Sequence, residues 1–227
     1  MILTFGLMVT HTEENYLKAI YSLNADRNDK ELGTNELAKH LSISPATASS
    51  MLKKLKEKGF IHYEKYGAIS LLEKGEIEAC AVIRKHRLWE TFLVERMEFT
   101  WDEIHEVAEQ LEHVKSKKLV DQLDKLLGYP KYDPHGDPIP NASGEIGGVH
   151  KTTLIQESVG KELRVVGVRN DSPAFLQYIT QLGLGINSQI IIRSHHEFDC
   201  SLDAEIDGKS QMISQKVAEN VYVSHNL

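Results

Sequence analysis

Apolar residues recur at helical spacing through most of the first 127 positions of this 227-residue chain, and shorter alternating runs replace them afterwards. Between Glu13 and Leu23 the apolar side chains fall three or four positions apart, which places them on one helical face. Thr10 and Glu13 have the spacing of a capping box at the start of this segment. The pattern therefore predicts a first amphipathic helix.

Two further helices and a hairpin are predicted next. Thr34 is placed to cap the short segment TNELAKHL, Pro45 suits the first turn of the following helix, and Gly59 suits its end. The segment FIHYEKYGAISL then alternates apolar and polar residues in two short runs around Tyr66 and Gly67, which is typical of a hairpin. Helix, short helix, turn, helix and hairpin is the order of a winged helix-turn-helix.

The remaining chain divides into a helical part, a proline-rich stretch and a β-rich part. From Glu73 to Leu127 the pattern predicts about three helices, with a break at Glu98 to Trp101. The stretch GYPKYDPHGDPIPNASGEIGG holds four of the six prolines and five of the fifteen glycines, so we expect a linker. Beyond it, the runs LRVVGV, QIIIRS and KVAENVYVSH predict a small β-barrel with one helix, PAFLQYITQLGL.

The composition is that of a folded soluble protein, with 41% hydrophobic residues and a mean hydropathy of -0.33. Its two cysteines, Cys80 and Cys200, are far apart and lack a C-x-x-C partner, which argues against a disulfide framework or a thiolate zinc finger. No stretch approaches the roughly 18 apolar residues that a membrane helix requires. We therefore expect a cytoplasmic protein with no membrane partner.

The net charge of -7 conceals an uneven distribution. Between Thr34 and Lys74 seven lysines face four glutamates, which gives this segment a charge of +3 and leaves -10 for the remainder. A basic module is therefore joined to an acidic body, and the local positive charge favours DNA binding by that module.

The segment SISPATASSMLKKLKEKGFI carries the features of a DNA recognition helix. Such a helix enters the major groove with small polar side chains at its N-terminus and meets phosphates with basic side chains farther along. An ordinary amphipathic helix also exposes serines and lysines, but the preceding helix, the local positive charge and the hairpin favour DNA binding. The candidates are Ser44, Pro45, Ala46, Thr47, Ser49 and Ser50 for base edges, Lys53 and Lys54 for phosphates, and Lys65 and Tyr66 at the hairpin tip.

A second group of residues has the spacing of metal ligands. His105, Glu109, Glu112 and His113 stand at positions i, i+4, i+7 and i+8, which share one helical face. His86 and Glu90 form another pair at i and i+4. Nitrogen and oxygen donors without thiolates suit a divalent ion such as Mn²⁺ or Fe²⁺.

Two other interpretations of these histidines remain open from the residues alone. They could belong to a solvated charged helix face. The segment H-E-V-A-E also resembles a zinc-protease motif with its last histidine replaced, but nothing nearby supplies a third ligand and a substrate cleft.

Five stretches together resemble one known family: TEENYLKAIYSL, SPATASSMLKKLKEKGFI, RKHRLWETFL, HEVAEQLEHV and PHGDPIP. The family is that of the metal-dependent repressors typified by the diphtheria toxin repressor and the manganese transport regulator, and the likeness extends over nearly the whole chain. It implies a mainly α fold with small β parts. The implied domains are a winged helix-turn-helix at 8–74, a helical metal-binding and dimerisation domain at 75–140, a linker at 141–150 and an SH3-like (FeoA-like) domain at 151–227.

The resemblance also implies how the metal ligands divide between two sites. The ancillary set is His86, Glu90 and His105, and the primary set is Glu109, Glu112, His113 and, from the first helix, Asn15. Glu109 stands where iron-type members have cysteine, so Mn²⁺ is favoured and Fe²⁺ is the other candidate. Lys18 stands where short manganese regulators carry a second carboxylate, so two separate sites are expected.

The function implied is transcriptional repression of metal-uptake genes. A homodimer activated by Mn²⁺ or Fe²⁺ would bind a palindromic operator in double-stranded DNA, and no enzyme activity is expected. The alternatives are a metal-independent winged-helix repressor that senses a small molecule through its C-terminal barrel, and a metallohydrolase.

Overall fold

The computed structural model describes residues 9–25, 31–64, 67–147 and 152–225, which belong to two compact units. The first unit comprises the chain up to Lys85 together with Glu112–Lys115 and Pro140–Glu145, and the second comprises His86–Leu111, Ser116–Ile139 and the chain from Ile146. The predicted hairpin-tip residues Lys65 and Tyr66 lie outside the described residues.

The first unit has the predicted winged helix-turn-helix order. Strands β1 and β2 pair antiparallel, with Ile61 opposite Leu71 and Tyr63 opposite Ile69. Leu17 and Ile20 pack with Leu52 and other buried apolar side chains into one core. The elements are α1 (His11–Ala25), α2 (Thr34–His40), α3 (Pro45–Glu57), β1 (Ile61–Tyr63), β2 (Ile69–Leu71) and the N-terminal part of α4 (Glu73–Met97).

Local signals account for the ends of these helices. The backbone N–H of Thr10 donates to Glu13 Oε2 at 3.0 Å and that of Glu13 donates to Thr10 Oγ1 at 3.3 Å, which confirms the capping box. Pro45 occupies the first turn of α3 and Gly59, with φ of +73°, follows its end, as predicted. Thr34 was predicted as the cap of α2 but lies inside its first turn, because Gly33 is the capping residue.

The second unit joins a helical part to a six-stranded sheet. The predicted helix break lies between Met97 and Ile104. In the sheet, each strand pairs antiparallel with the strands beside it. The elements are the C-terminal part of α4, α5 (Ile104–Leu111), α6 (Lys117–Leu126), β3 (Thr152–Thr153), β4 (Glu162–Val168), α7 (Pro173–Gln181), β5 (Gln189–His195), β6 (Leu202–Ile206), β7 (Lys209–Ile213), α8 (Gln215–Ala218) and β8 (Val221–Ser224).

The sheet confirms a β-rich C-terminal domain but is not a closed barrel. Its strand order is β3-β8-β4-β5-β6-β7, and within residues 152–225 no pairing joins β3 to β7. The two-residue length of β3 leaves little backbone with which a closing strand could pair. Among the described helices, none combines the length and apolar character needed to cross a bilayer.

Part of the proline-rich stretch expected to be a linker is instead packed in the second unit. Asp133 Oδ1 accepts hydrogen bonds from the backbone N–H groups of His135 and Asp137, both at 2.8 Å. The His135 carbonyl accepts from the N–H of Val168 at 3.0 Å. A Cβ on Gly136 would lie 1.7 Å from the Val166 carbonyl oxygen, so only glycine allows this close approach.

Candidate functional site

The first group of possible metal ligands lies in the first unit, where α1 meets the segment Glu112–Lys115. His113 Nδ1 is 2.6 Å from Glu14 Oε2, and the rings of His113 and His11 stack with centroids 4.4 Å apart. Glu14 and Glu112 are both buried. An imidazole and two carboxylates are therefore available within one region, which we call the first centre (Glu14, Glu112 and His113).

Lysine side chains pair with the carboxylates of the first centre. Lys18 Nζ is 2.6 Å from Glu112 Oε2, Lys115 Nζ is 2.5 Å from Glu14 Oε1, and Lys85 Nζ is 3.7 Å from the same Glu14 oxygen. Buried carboxylates require compensating positive charge, and ammonium groups supply it here. A divalent cation held by these carboxylates would compete with the lysines.

The structure brings Glu14 of α1 to His113, whereas the sequence prediction named Asn15 as the ligand from this helix. Asn15 is exposed and Glu14 is buried. Successive residues of a helix differ in direction by about 100°, so neighbouring positions face different surroundings. Sequence spacing alone could not choose between the two, because the orientation of α1 is set by its packing.

The second group lies wholly in the second unit and contains the predicted ancillary residues. His86 Nε2 is 2.9 Å from Glu90 Oε1, and His105 Nδ1 is 3.2 Å from His86 Nε2 and 3.4 Å from Glu90 Oε1. Their candidate ligand atoms all lie within 4.8 Å of one another. The i, i+4 pair on α4 thus meets a histidine from α5, as ligands of one ion must.

Two residues that the sequence analysis did not select extend this group. Glu90, Asp133 and His135 are all buried, and their ligand atoms also lie within 4.8 Å of one another. His135 Nε2 contacts the carbonyl oxygen of Trp101 at 2.9 Å, and the two rings stack with centroids 6.4 Å apart. We call the combined set the second centre: His86, Glu90, His105, Asp133 and His135.

The signal for the two additional residues was present in the segment DPHGDPIP but was obscured by its prolines. A run so rich in proline and glycine predicts a linker, and polar residues in linkers are usually solvated. The tight turn stabilised by Asp133 instead buries the imidazole of His135.

The charges of the second centre depend on one another. Burial opposes ionisation of Glu90, but hydrogen bonds from His105, His135 and His86 outweigh it and hold the pKa of Glu90 well below its usual value. Burial likewise opposes a charge on His135, yet Glu90 and Asp133 raise the pKa of His135 to about 9. Burial and repulsion from Glu90 raise the pKa of Asp133 to about 7.

Glu109, predicted in the primary set, belongs to the second unit. Its carboxylate is exposed and lies 3.4 Å from His105 Nε2. The donors of both centres are imidazole nitrogens and carboxylate oxygens, a set that suits Mn²⁺ or Fe²⁺ and lacks the thiolates that soft ions prefer. The residues present therefore fit a divalent cation in each centre.

The predicted DNA-binding residues of the recognition segment lie at the N-cap and along α3, and most of them are exposed. Ser44 caps the helix, accepting the Thr47 N–H at 3.1 Å through Oγ. Lys54 is half exposed, and its Nζ is 3.0 Å from Glu13 Oε1. Ser44, Pro45, Ala46, Thr47, Ser50, Lys53 and Lys54 are exposed, and Ser49 is partly buried.

Three domain families match successive parts of the chain. They are the iron dependent repressor N-terminal DNA binding domain over residues 8–69, the iron dependent repressor metal binding and dimerisation domain over 72–141, and the FeoA domain over 152–225. The chain is also 36% identical over 217 residues to the iron-dependent repressor IdeR of Mycobacterium tuberculosis H37Rv, covering 94% of this chain and 83% of IdeR.

Solved structures agree with these matches. A manganese-dependent transcriptional repressor in complex with manganese is 32% identical, with a TM-score of 0.81 and coverage of 94% of this chain and 99% of that one. ScaR with bound Zn²⁺ is 33% identical, with a TM-score of 0.72 and the same coverage. Neither the metallohydrolase nor the metal-independent sensor is supported by these comparisons. The chain belongs to the iron-dependent repressor family.

Proposed function

We propose that this metal-dependent transcriptional repressor controls its affinity for DNA through metal binding at the first centre. The second centre would stabilise the second unit. The observation that carries the proposal is the 2.6 Å contact between Glu14 of α1 and His113. It joins a residue of the DNA-binding domain to one of the segment Glu112–Lys115, 99 positions away.

The family assignment establishes the general activity. The chain is a DNA-binding repressor that depends on a divalent metal, Mn²⁺ or Fe²⁺, and that acts as a homodimer. We propose in addition that it represses metal-uptake genes from a palindromic operator in the cytoplasm and catalyses no reaction. A twofold dimer presents its recognition helices to two half-sites with one spacing, which a palindrome matches.

In the first centre, Glu14, Glu112 and His113 would hold the metal. A bound divalent cation would place positive charge beside the two carboxylates and the imidazole. When Glu14 is held beside His113, the helix α1 that carries it can adopt fewer orientations. If only a fraction of the metal-free protein is competent to bind DNA, its apparent affinity falls by that fraction. Holding α1 increases the competent fraction and thereby the affinity for the operator.

In the second centre, His86, Glu90 and His105 would hold a second ion, with Asp133 and His135 as further donors. These residues come from α4, α5 and the proline-rich stretch, so a shared ion would hold three segments of the second unit together. This centre would therefore stabilise the second unit more than it would change DNA affinity.

The family resemblance names Glu109 and Asn15 as ligands of the primary site, and we retain both as candidate metal ligands to be tested by substitution. A glutamate at position 109 provides an oxygen donor where a cysteine would favour softer ions, so we propose Mn²⁺ as the preferred effector over Fe²⁺.

The test is fluorescence anisotropy of a labelled duplex selected from a random library in the presence of Mn²⁺. Without oxygen, Mn²⁺ and Fe²⁺ are titrated separately, and a chelator is then added. We expect tight binding only with metal, and we expect His113→Ala and Glu109→Ala to abolish the metal response while both variants remain folded. Glu106→Ala, which removes an exposed carboxylate from the same helix as Glu109, is the matched control and should respond normally.

Binding that is indifferent to metal and chelator would refute gating by the first centre. An unchanged metal response in both His113→Ala and Glu109→Ala would show that other residues sense the metal.

A further inference from the structure

α1 presents two successive buried carboxylates that face different partners. Glu14 contacts His113 of the first centre, whereas Glu13 contacts Lys54 of the recognition helix α3 and Lys58 at its C-terminal cap. Both glutamates are almost fully inaccessible to solvent. One short segment of α1 therefore touches the candidate metal ligands on one side and the DNA-binding helix on the other.

The contacts of Glu13 are directional and numerous. Lys58 Nζ lies 2.7 Å from Oε1 and 2.9 Å from Oε2, and Lys54 Nζ lies 3.0 Å from Oε1. The N–H of Thr10 donates to Oε2 at 3.0 Å, which fixes the carboxylate at the start of α1. Charge-assisted hydrogen bonds of this kind constrain orientation more than neutral ones.

α1 and α3 are also joined by apolar packing. Leu17 and Ile20 of α1 share a core with Leu52 and Leu55 of α3. Apolar burial holds two helices together but is non-directional, so it restrains sliding and rotation less than paired charges do. The Glu13 cluster lies toward the C-terminal end of α3, where Lys54 and Lys58 are one helical turn apart.

We infer that Glu13 is a positioning residue that transmits the position of α1 to the recognition helix by clamping Lys54 and Lys58. The inference rests on the proposed function, because it requires that the first centre controls where α1 lies. Holding Glu14 at His113 then sets the orientation of α3 through its neighbour Glu13. Without the contacts of Glu13 with Lys54 and Lys58, the first centre still binds metal, but the orientation of the recognition helix no longer depends on the position of α1.

The clamp also affects a residue that is predicted to contact phosphate. Lys54 forms an ion pair with Glu13, so DNA phosphates and Glu13 compete for the same ammonium group. Removing the carboxylate releases Lys54, and the metal-free protein should bind DNA as well as the wild type or better. A loss of coupling is thereby distinguishable from a general loss of DNA binding.

The test compares Glu13→Gln with Glu57→Gln, which removes an exposed carboxylate from α3 and causes the same change in net charge. Anisotropy on the Mn²⁺-selected duplex is measured with saturating Mn²⁺ and with chelator, and Mn²⁺ affinity is measured separately by electron paramagnetic resonance of free Mn²⁺. For Glu13→Gln we expect Mn²⁺ affinity within about twofold of the wild type and a metal stimulation of DNA binding reduced by about tenfold, within the usual range of coupling between sites. Glu57→Gln should keep the full stimulation.

A second variant, Lys58→Met, breaks the same contact from α3 and should reproduce the effect. Combining it with Glu13→Gln should add little, because two changes to one interaction are not additive. A purely structural role would lower the melting temperature and weaken DNA binding equally with and without Mn²⁺.

Full metal stimulation in Glu13→Gln and Lys58→Met would overturn the inference, and so would loss of Mn²⁺ binding in Glu13→Gln. Failure of the wild type to respond to metal would instead refute the proposed function, which separates the two outcomes.

Discussion

The ion pair between Lys18 and Glu112 predicts that the chain carries an internal competitor for metal at the first centre. The perturbation is Lys18→Met, which keeps an apolar stem of similar length and removes the ammonium group 2.6 Å from Glu112 Oε2. The Lys18 side chain is 18% exposed and that of Glu112 is 2% exposed, so the pair is largely shielded from water.

The size of the effect follows from the distance and the burial. At 2.6 Å and an effective dielectric constant of about 20, the attraction is roughly 6 kcal/mol before desolvation. Breaking a buried pair from one side costs about 3 to 5 kcal/mol. Because Lys18 keeps some contact with solvent, we take a net value of about 2 kcal/mol, which corresponds to roughly 30-fold in an equilibrium constant.

Two opposite consequences are expected. The metal-free variant should lose about 2 kcal/mol of unfolding free energy, because the buried carboxylate of Glu112 loses its ion pair with Lys18. Its first centre should bind Mn²⁺ about 30-fold more tightly, since the Lys18 ammonium group no longer has to be displaced from Glu112.

The assay is Mn²⁺ binding followed by electron paramagnetic resonance, in a Glu90→Ala background that removes the residue shared by both ligand groups of the second centre. Urea unfolding with chelator and with excess Mn²⁺ measures the change in stability. Lys117→Met is the matched control, because Lys117 pairs with Asp121 at 2.8 Å but is 82% exposed, and surface pairs contribute little. Equal or weaker Mn²⁺ binding by Lys18→Met would refute the competition between Lys18 and the metal.

Two further predictions concern the second unit. His135→Ala removes a buried donor of the second centre, so equilibrium dialysis should show weaker binding of one of two Mn²⁺ ions. Anisotropy should show that DNA binding still responds to metal. Loss of that response would contradict the separate roles of the two centres. Burial opposes the charge on Glu157, but Thr152, His225 and Lys161 outweigh it and lower its pKa below the usual 4.5. Its stabilising contribution is therefore complete above pH 4.5 and is lost as the pH falls. Glu157→Gln should lower stability by about 1 kcal/mol in urea unfolding at pH 7 and by clearly less at pH 3, and an equal loss at both would contradict this assignment.

Short-range signals predicted the helices of the DNA-binding domain because the interactions involved span only a few residues. The capping box of Thr10 and Glu13, the proline at the start of α3 and the glycine after its end all act within one or two turns. Thr34 was assigned as a cap in error. The capping residue is the one at which the backbone turns into the helix, and that residue is Gly33.

Long-range packing decided the closure of the sheet and the role of the proline-rich stretch. Alternating apolar runs predict strands but not whether the first and last strand pair, and the short β3 leaves this sheet open. Proline and glycine predict irregular backbone, yet irregular backbone can still be buried when its polar groups are satisfied. Asp133 satisfies two backbone N–H groups in this way.

The sequence by itself determined the kind of chemistry and the order of the domains, because ligand type, helical spacing and local charge are properties of the chain. It placed His86 and Glu90 on one face, and the family resemblance named His105 as their partner. Only the tertiary structure decided that Asp133 and His135 join them, that Glu14 faces His113, and that Glu13 contacts Lys54 and Lys58. Those contacts join residues many positions apart, and their geometry depends on how whole helices rotate and pack, which spacing along one helix does not specify.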